Sequence, residues 1–402
     1  MKNSIALASA FLAASSASTA EIVINDWLSF EGFVDMSYVH YEGDVDATLD
    51  GTDAELTESG NSYQVDQVEI SWLFDFDPVT AQIDLQYEDL PGDSTAVEQA
   101  FATYHFDNGG AITAGRYASM LGFEAFEPTG LYQYSTAYGL PATAGELTGL
   151  IPGPIDTFLG PLTATAFPIG ARYSQGVKYT YDGDDTFFGI SIQDGINLYS
   201  DRLGGDPNGF DNGGYGVEVA GSYYMDNGLS FFLGGAYEDG DGIAVGGTPV
   251  TGDTESIILN SYVTFETGAW LFAFELFYGE NELEDIVIAP GSSAETESFG
   301  GLLMANFAYS DKASVTGRLS YTDFDIEGST TVPTPINGSA DAEMLKLTLA
   351  HSYAFTDNLL LVTEVSYSDI DADGSASDGI DTLSADADFD ELLGAVELIF
   401  SF

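Results

Sequence analysis

The residues able to do chemistry in this chain are nearly all of one kind. Acids number 65, bases eight and histidines three, a formal net charge of −57 over 402 residues. Cysteine is absent, which excludes disulfide scaffolds, thiolate metal sites and cysteine nucleophiles together. Eight Lys and Arg residues cannot neutralise a run of phosphates, so nucleic acid is excluded as a partner. His40, His105 and His351 stand in no Ser or Asp constellation that would activate a nucleophile. No Gly-rich loop carrying Lys offers a phosphate cradle. Neither an enzyme nor a cofactor is expected. The run Asp369 to Gly374, DIDADG, opens like a calcium loop, but its twelfth position is Ile380 rather than a bidentate Glu, so an EF-hand is rejected and no metal centre is expected.

What the charges can do depends on the elements that carry them. Lys2, the apolar stretch Ile5 to Ala14 and the small residues Ser18-Thr19-Ala20 read as a secretory leader over 1–20, with a mature chain over 21–402. No later apolar run is long enough for a transmembrane helix. Alternation appears instead: Val68, Ile70, Trp72, Phe74 and Phe76 oppose Glu69, Ser71 and Asp75. Ala81, Ile83, Leu85 and Tyr87 likewise oppose Gln82, Asp84, Gln86 and Glu88. Period two marks strands with one apolar and one polar face. Tight-turn signals recur near Asp77-Pro78, Asp107-Asn108-Gly109, Asp182-Gly183-Asp184, Asp226-Asn227-Gly228, Thr267-Gly268, Asp311-Lys312 and Thr356-Asp357-Asn358. Sixteen strands are predicted: 27–41, 62–76, 80–90, 96–106, 111–117, 170–181, 186–199, 213–225, 229–239, 255–266, 270–280, 297–310, 313–325, 342–355, 358–370 and 389–402.

A propeller would need four short strands per repeat of this length, and these strands are too long and too few. A soluble sandwich would lack polar surface to cover so many apolar faces. The fold class is therefore all-β, a transmembrane antiparallel up-and-down barrel whose apolar faces meet lipid and whose polar faces line water. Leu392, Gly394, Val396, Leu398, Phe400 and Phe402 share one face of the last strand. This resembles the terminal signal of outer-membrane proteins, in which a final aromatic is read by the barrel-assembly machinery. Glu397 stands where the fuller signal has Gly, so the match is to the simpler alternating form.

One connection, 118–169, is far longer than its sisters and rich in apolar residues, a length at which connections are usually functional. It follows the fifth strand, which ends in AGRYASMLGFE. Here the chain resembles the sixteen-stranded general-diffusion porins of Gram-negative outer membranes. The resemblance implies that the third outer loop folds into the barrel as an eyelet, that Gly115-Arg116 supplies an inward base facing it, and that the assembly is a homotrimer. The stretch from Arg172 through Gln193 to Asp194 also resembles a small-channel type of outer-membrane porin, and both subfamilies stay open.

Strand parity sorts the bases. Arg172 and Lys178 lie with Ser174 and Thr180, Arg318 with Thr316 and Ser320, and Lys346 with Thr348 and Ser352, all on the polar side. A lipid-facing Arg or Lys at the membrane midplane would cost about 2–4 kcal/mol. Arg116 shares parity with Ile112 and Ala114, so its inward placement rests on the resemblance. Arg318 and Lys346 are read as balancing nearby carboxylates. The constriction is expected between Arg116, Arg172 and Lys178 on the wall and acids of the long loop. Glu124 and Glu127 are chosen ahead of Glu146 and Asp156. Glu31, Asp35, Glu69, Asp84, Glu88, Glu218, Glu275, Glu364 and Glu397 are expected to line the lumen and to draw cations.

Further acids crowd two outer connections: Asp44, Asp46, Asp50, Asp53, Glu55 and Glu58 in the first, and Asp369, Asp371, Asp373, Asp378 and Asp381 in the last. Three functions fit: a passive, cation-preferring porin for ions and small hydrophilic solutes; a substrate-specific channel with Tyr132, Tyr134 or Phe158 as a sugar slide; or a structural or adhesive barrel whose acidic loops take divalent cations. Outer-membrane lipid and lipopolysaccharide are the expected surroundings.

Overall fold

The computed structural model describes residues 21–88, 94–141, 173–196, 215–241, 244–245, 248–249, 253–284, 292–330, 336–378, 380 and 382–402. The leader 1–20 and residues 142–172, with Arg172, Glu146, Asp156 and Phe158, lie outside them. A four-residue strand β1 (Ile22–Asn25) folds back on the start of β2. Then come β2 (Leu28–Leu49), β3 (Thr52–Asp75), β4 (Val79–Glu88), β5 (Ser94–His105), β6 (Gly110–Ala118), β7 (Tyr173–Asp182), β8 (Thr186–Gln193), β9 (Tyr215–Tyr224) and β10 (Leu229–Asp241). A two-residue pair, β11 (Ala244–Val245) and β12 (Thr248–Pro249), stands apart. The wall resumes with β13 (Asp253–Thr267), β14 (Trp270–Glu284), β15 (Ser293–Ser310), β16 (Ala313–Thr330), β17 (Ile336–Thr356), β18 (Leu359–Ser377) and β19 (Thr382–Ser401).

Strands β2 to β10 and β13 to β19 make the predicted sixteen. Each pairs antiparallel with its neighbour in sequence, and β19 returns to β2, with Ala385 opposite Leu49 and Ser401 opposite Phe33. Closure leaves no sheet edge to solvate in lipid. Gly32 and Phe402 exchange two backbone hydrogen bonds of 2.8 and 2.9 Å at the seam. Phe30, Trp72, Phe400 and Phe402 gather there as part of an aromatic girdle. The alternation read from sequence is visible in exposure: Leu345, Leu347 and Leu349 are 47, 58 and 60 % exposed, whereas Lys346 and Thr348 between them are buried.

The outer ends depart from expectation. The sequence predicts a long acidic loop over 42–61 as the first outer connection. The structure instead continues β2 and β3 in register to a two-residue turn at Asp50 and Gly51, with φ of +47° and +75°. Asp-Gly is the pair that tolerates positive φ at both turn positions. The calcium-like run Asp369 to Gly374 likewise lies on strand β18, where alternate acids sit ~6.8 Å apart and cannot wrap one ion. The last two strands are correspondingly longer than predicted.

These extensions reverse the face pattern. Outward residues change from apolar to acidic, as from Leu319 and Tyr321 to Asp323, Asp325 and Glu327 on β16. Inward residues become apolar instead, with Val45, Met344, Ile370 and Phe389 forming one buried cluster. The acids fall into register. Glu280, Glu297, Asp325, Asp341, Asp373 and Asp386 face one another successively across six strands. Asp323, Glu343, Asp371, Asp388, Asp46 and Glu55 do the same one step nearer the membrane. Directly opposed like charges destabilise a sheet, at side-chain spacings of ~5 Å. Screening falls from ~10 Å at 0.1 M salt to ~3 Å at 1 M, so heat-induced unfolding of the purified barrel should move to higher temperature as salt rises over that range. A flat or falling dependence would show that the ladders carry no net repulsion.

Turn lengths assign the sides. Seven short turns sit at one end with β1 and Phe402, which is the periplasmic end in barrels of this kind. Asn227 lies in one of them, its side-chain oxygen accepting from the Leu229 amide. Asp378 lies beyond β18 at the other end. In this cysteine-free chain, an impermeant thiol reagent should label Asp378→Cys but not Asn227→Cys on intact cells. Equal labelling would overturn the orientation.

Candidate functional site: a strap bound to the lumen wall

The long connection leaves the wall where two glycines face each other. Gly115 pairs with Gly176 and has φ of +133°, and a Cβ there would meet the Ala100 carbonyl at 2.2 Å. The alternation runs on past it: Tyr117 is buried with Ala111 and Thr113, and Arg116, on the parity of Ile112 and Ala114, is half-buried. The Arg116 Nε donates to the Glu98 carbonyl at 2.6 Å, and the guanidinium lies over the Tyr173 ring, 5.9 Å from its centroid. Lys178 donates to the Ala118 carbonyl at 3.2 Å and stands over the Tyr117 ring at 4.4 Å, holding the last residue of β6.

Residues 119–141 then run without regular structure except a single 3-10 turn, Pro128–Gly130. An irregular segment has backbone amides to satisfy, and the wall supplies acceptors. Glu218 on β9 takes the Ser119 hydroxyl at 2.7 Å and the Met120 amide at 2.6 Å. Asn260 on β13 takes the Gly122 amide at 3.0 Å. Glu275 on β14 takes the Phe123 amide, the Tyr138 hydroxyl and the Asn260 amide group, each at 2.8 Å. Glu364 on β18 takes the Ser135 amide and hydroxyl at 3.0 and 2.6 Å. Burial and the Glu275 carboxylate hold the Tyr138 phenol well above the usual range, so it stays a proton donor. Hydrogen bonds to charged groups contribute about 1.5–3 kcal/mol each, so these wall acids bind the strap strongly.

The far side is held by bases. Arg318 on β16 is almost wholly buried. It pairs with Glu124 of the strap at 2.5 Å and donates to the Ser135 and Thr136 carbonyls at 2.8 and 3.0 Å. Lys346 on β17 adds a bond to the Thr136 carbonyl at 3.1 Å. Glu124 also accepts from Gln133 and from the Ala137 amide, at 2.6 and 2.7 Å, closing the strap on itself.

Glu124 therefore stands against β16, not against Arg116 and Lys178 as the sequence suggested; the pair is separated by 194 positions, which no local pattern reveals. Glu127 does lie on that side, bound by Gln67 at 2.6 Å and by the Tyr173 hydroxyl. Asp35, Glu69, Asp84 and Glu397 are buried on inward positions, Glu31 is half-buried on the same face of β2, and Glu88 ends β4. Tyr134 is tied to the wall by Ser37 and Gln64 at 3.4 and 3.3 Å, and Tyr132 packs against the Tyr138–Phe277 cluster. The buried acids Glu98, Glu238 and Glu391 escaped the sequence reading. Glu98 is the extra residue where the β4–β5 register shifts, so simple alternation misplaces it.

The profile of the family described as "Putative beta-barrel porin-2, OmpL-like" matches residues 163–402. Among solved structures, the chain is similar to outer-membrane expressed OmpT of Vibrio cholerae at 13 % identity and a TM-score of 0.50, covering 95 % of this chain and 100 % of that one. It is also similar to the outer membrane channel DcaP of Acinetobacter baumannii at 11 % identity and a TM-score of 0.50, covering 93 % and 97 %. These likenesses are in fold. No curated protein matches the chain.

Proposed function

Because this chain belongs to the OmpL-like beta-barrel porin-2 family, and is thus a porin of the Gram-negative outer membrane, we propose that it is a passive, cation-preferring diffusion channel narrowed by its strap. One observation carries the preference. Among the described residues, ten carboxylates are buried inside the barrel against two bases, Arg318 and Lys346. A lumen so biased lowers the energy of a passing cation and raises that of an anion, most of all where walls of low dielectric focus the field. Arg116, Lys178 and Glu127 border the narrow passage in this reading, and Arg172 joins them from outside the described residues.

Purified protein in planar bilayers under a salt gradient tests it. The expected result is stepwise conductance with a reversal potential of cationic sign. Anionic sign would refute the charge argument, and silence would refute the open pore. The same protein is expected to run as a homotrimer in mild detergent. Phe402→Ala is expected to lower assembly into the outer membrane, if the closing strand presents Phe400 and Phe402 to the assembly machinery. Lipopolysaccharide is the outer-leaflet neighbour in this reading.

A further inference from the structure

Beneath the strap, three carboxylates converge from three elements. Glu69 comes from β3, Glu98 from β5 and Glu127 from the strap, with one oxygen of each lying within 4.8 Å of the others. Such a group could be merely a crowded wall, but its members are not solvated. Glu69 and Glu98 are 7 and 5 % exposed. Each has a buried Oε2 that meets no hydrogen-bond donor other than the facing carboxyl group, although Oε1 of Glu69 accepts from Ser71 at 2.9 Å. The neighbouring acid Asp84, itself fully buried, is satisfied by Gln82 and Gln99. Arg116 supplies a positive charge at the edge, through the Glu98 carbonyl and the Tyr173 ring.

Four acids against that charge leave the neighbourhood strongly negative. An unpaired buried carboxylate is costly, so protons or a metal cation must supply the balance. Oxygen donors alone, all carboxylate, favour a hard divalent ion, and an irregular group suits calcium better than the strict octahedron of magnesium. We propose that Glu69, Glu98 and Glu127 form a calcium site that ties the strap to β3 and β5. Gln67 and Tyr173, which bond the two oxygens of Glu127, would orient that ligand, as outer partners commonly do. Bound calcium would hold the strap in place and subtract negative charge from the passage.

The test is calcium titration of the full barrel in detergent by calorimetry, after chelator treatment and in 0.5 M sodium chloride to suppress the acidic ladders. Wild type should show one saturable site per chain. Glu69→Gln with Glu98→Gln should weaken it by about tenfold or more while the barrel stays folded, since each change removes a buried charge. Glu280→Gln with Glu297→Gln, neighbours on the outer ladder, should leave the site intact. Saturable binding that is missing in wild type, kept in the first variant, or lost in the second would overturn the assignment. Heat-modifiable migration on gels reports folding of every variant independently.

Discussion

Replacing Arg318 by methionine is expected to loosen the strap and lower barrel stability by about 3–5 kcal/mol, the usual cost of stranding one member of a buried ion pair. The side chain is fully buried and binds Glu124, both the carbonyl and hydroxyl of Ser135, the Thr136 carbonyl and the Thr348 hydroxyl. Its removal leaves the Glu124 carboxylate without its cation, the Ser135 carbonyl without its donor and the Thr136 carbonyl with Lys346 alone. Lys346, bonded only to the Thr136 carbonyl among these, cannot reproduce a planar fork that reaches several acceptors. In bilayers the variant should show larger and noisier conductance steps, because the strap is freed from β16. Adding Glu124→Gln should restore part of the stability, since the stranded charge is then gone. A double-mutant cycle over these positions should return a coupling of more than about 1 kcal/mol. Additive effects would mean that the pair does not latch the strap.

Much of the frame was legible because the membrane imposes a simple rule. Lipid outside and polar groups inside force a period of two, and closure forces every strand to pair, so the turn spacing led to sixteen strands. The rule ends where lipid ends. Beyond Tyr321 on β16 the outward face meets water, and alternating acids such as Asp44 and Asp46 sit on an unbroken strand while resembling a loop by composition. Parity found Glu218, Glu275 and Glu364 on the inner face, but not what they bind. Each accepts backbone groups of the strap at sequence separations of 98 to 229 residues. Those amides have no sequence signature. Arg116 illustrates the opposite limit: it keeps the parity of Ile112 and Ala114, and its expected inward placement came from the resemblance rather than from the strand pattern.

Selectivity should respond to Glu127 and Arg116 in opposite directions, and to Glu124 for a different reason from the one that its position in the sequence suggests. Changing Glu124 and Glu127 together to glutamine should lower cation over anion permeability at 0.1 M salt. Glu127 removes negative charge beside Tyr173, and Glu124 releases the positive charge of Arg318 that it had balanced. The larger share is expected from Glu124, since loss of its charge exposes an uncompensated cation in a buried setting where fields are poorly screened. Arg116→Ala should raise cation permeability, by removing a positive charge from the neighbourhood of Glu69, Glu98 and Glu127. All three shifts should shrink at 1 M salt, where the screening length of ~3 Å is shorter than the distance from wall to passing ion. Reversal potentials of the single and double variants, measured at both salt concentrations, separate the contributions. If the double variant keeps the wild-type reversal potential at low salt, the strap does not border the conducting path, and the lumen acids alone must account for any preference.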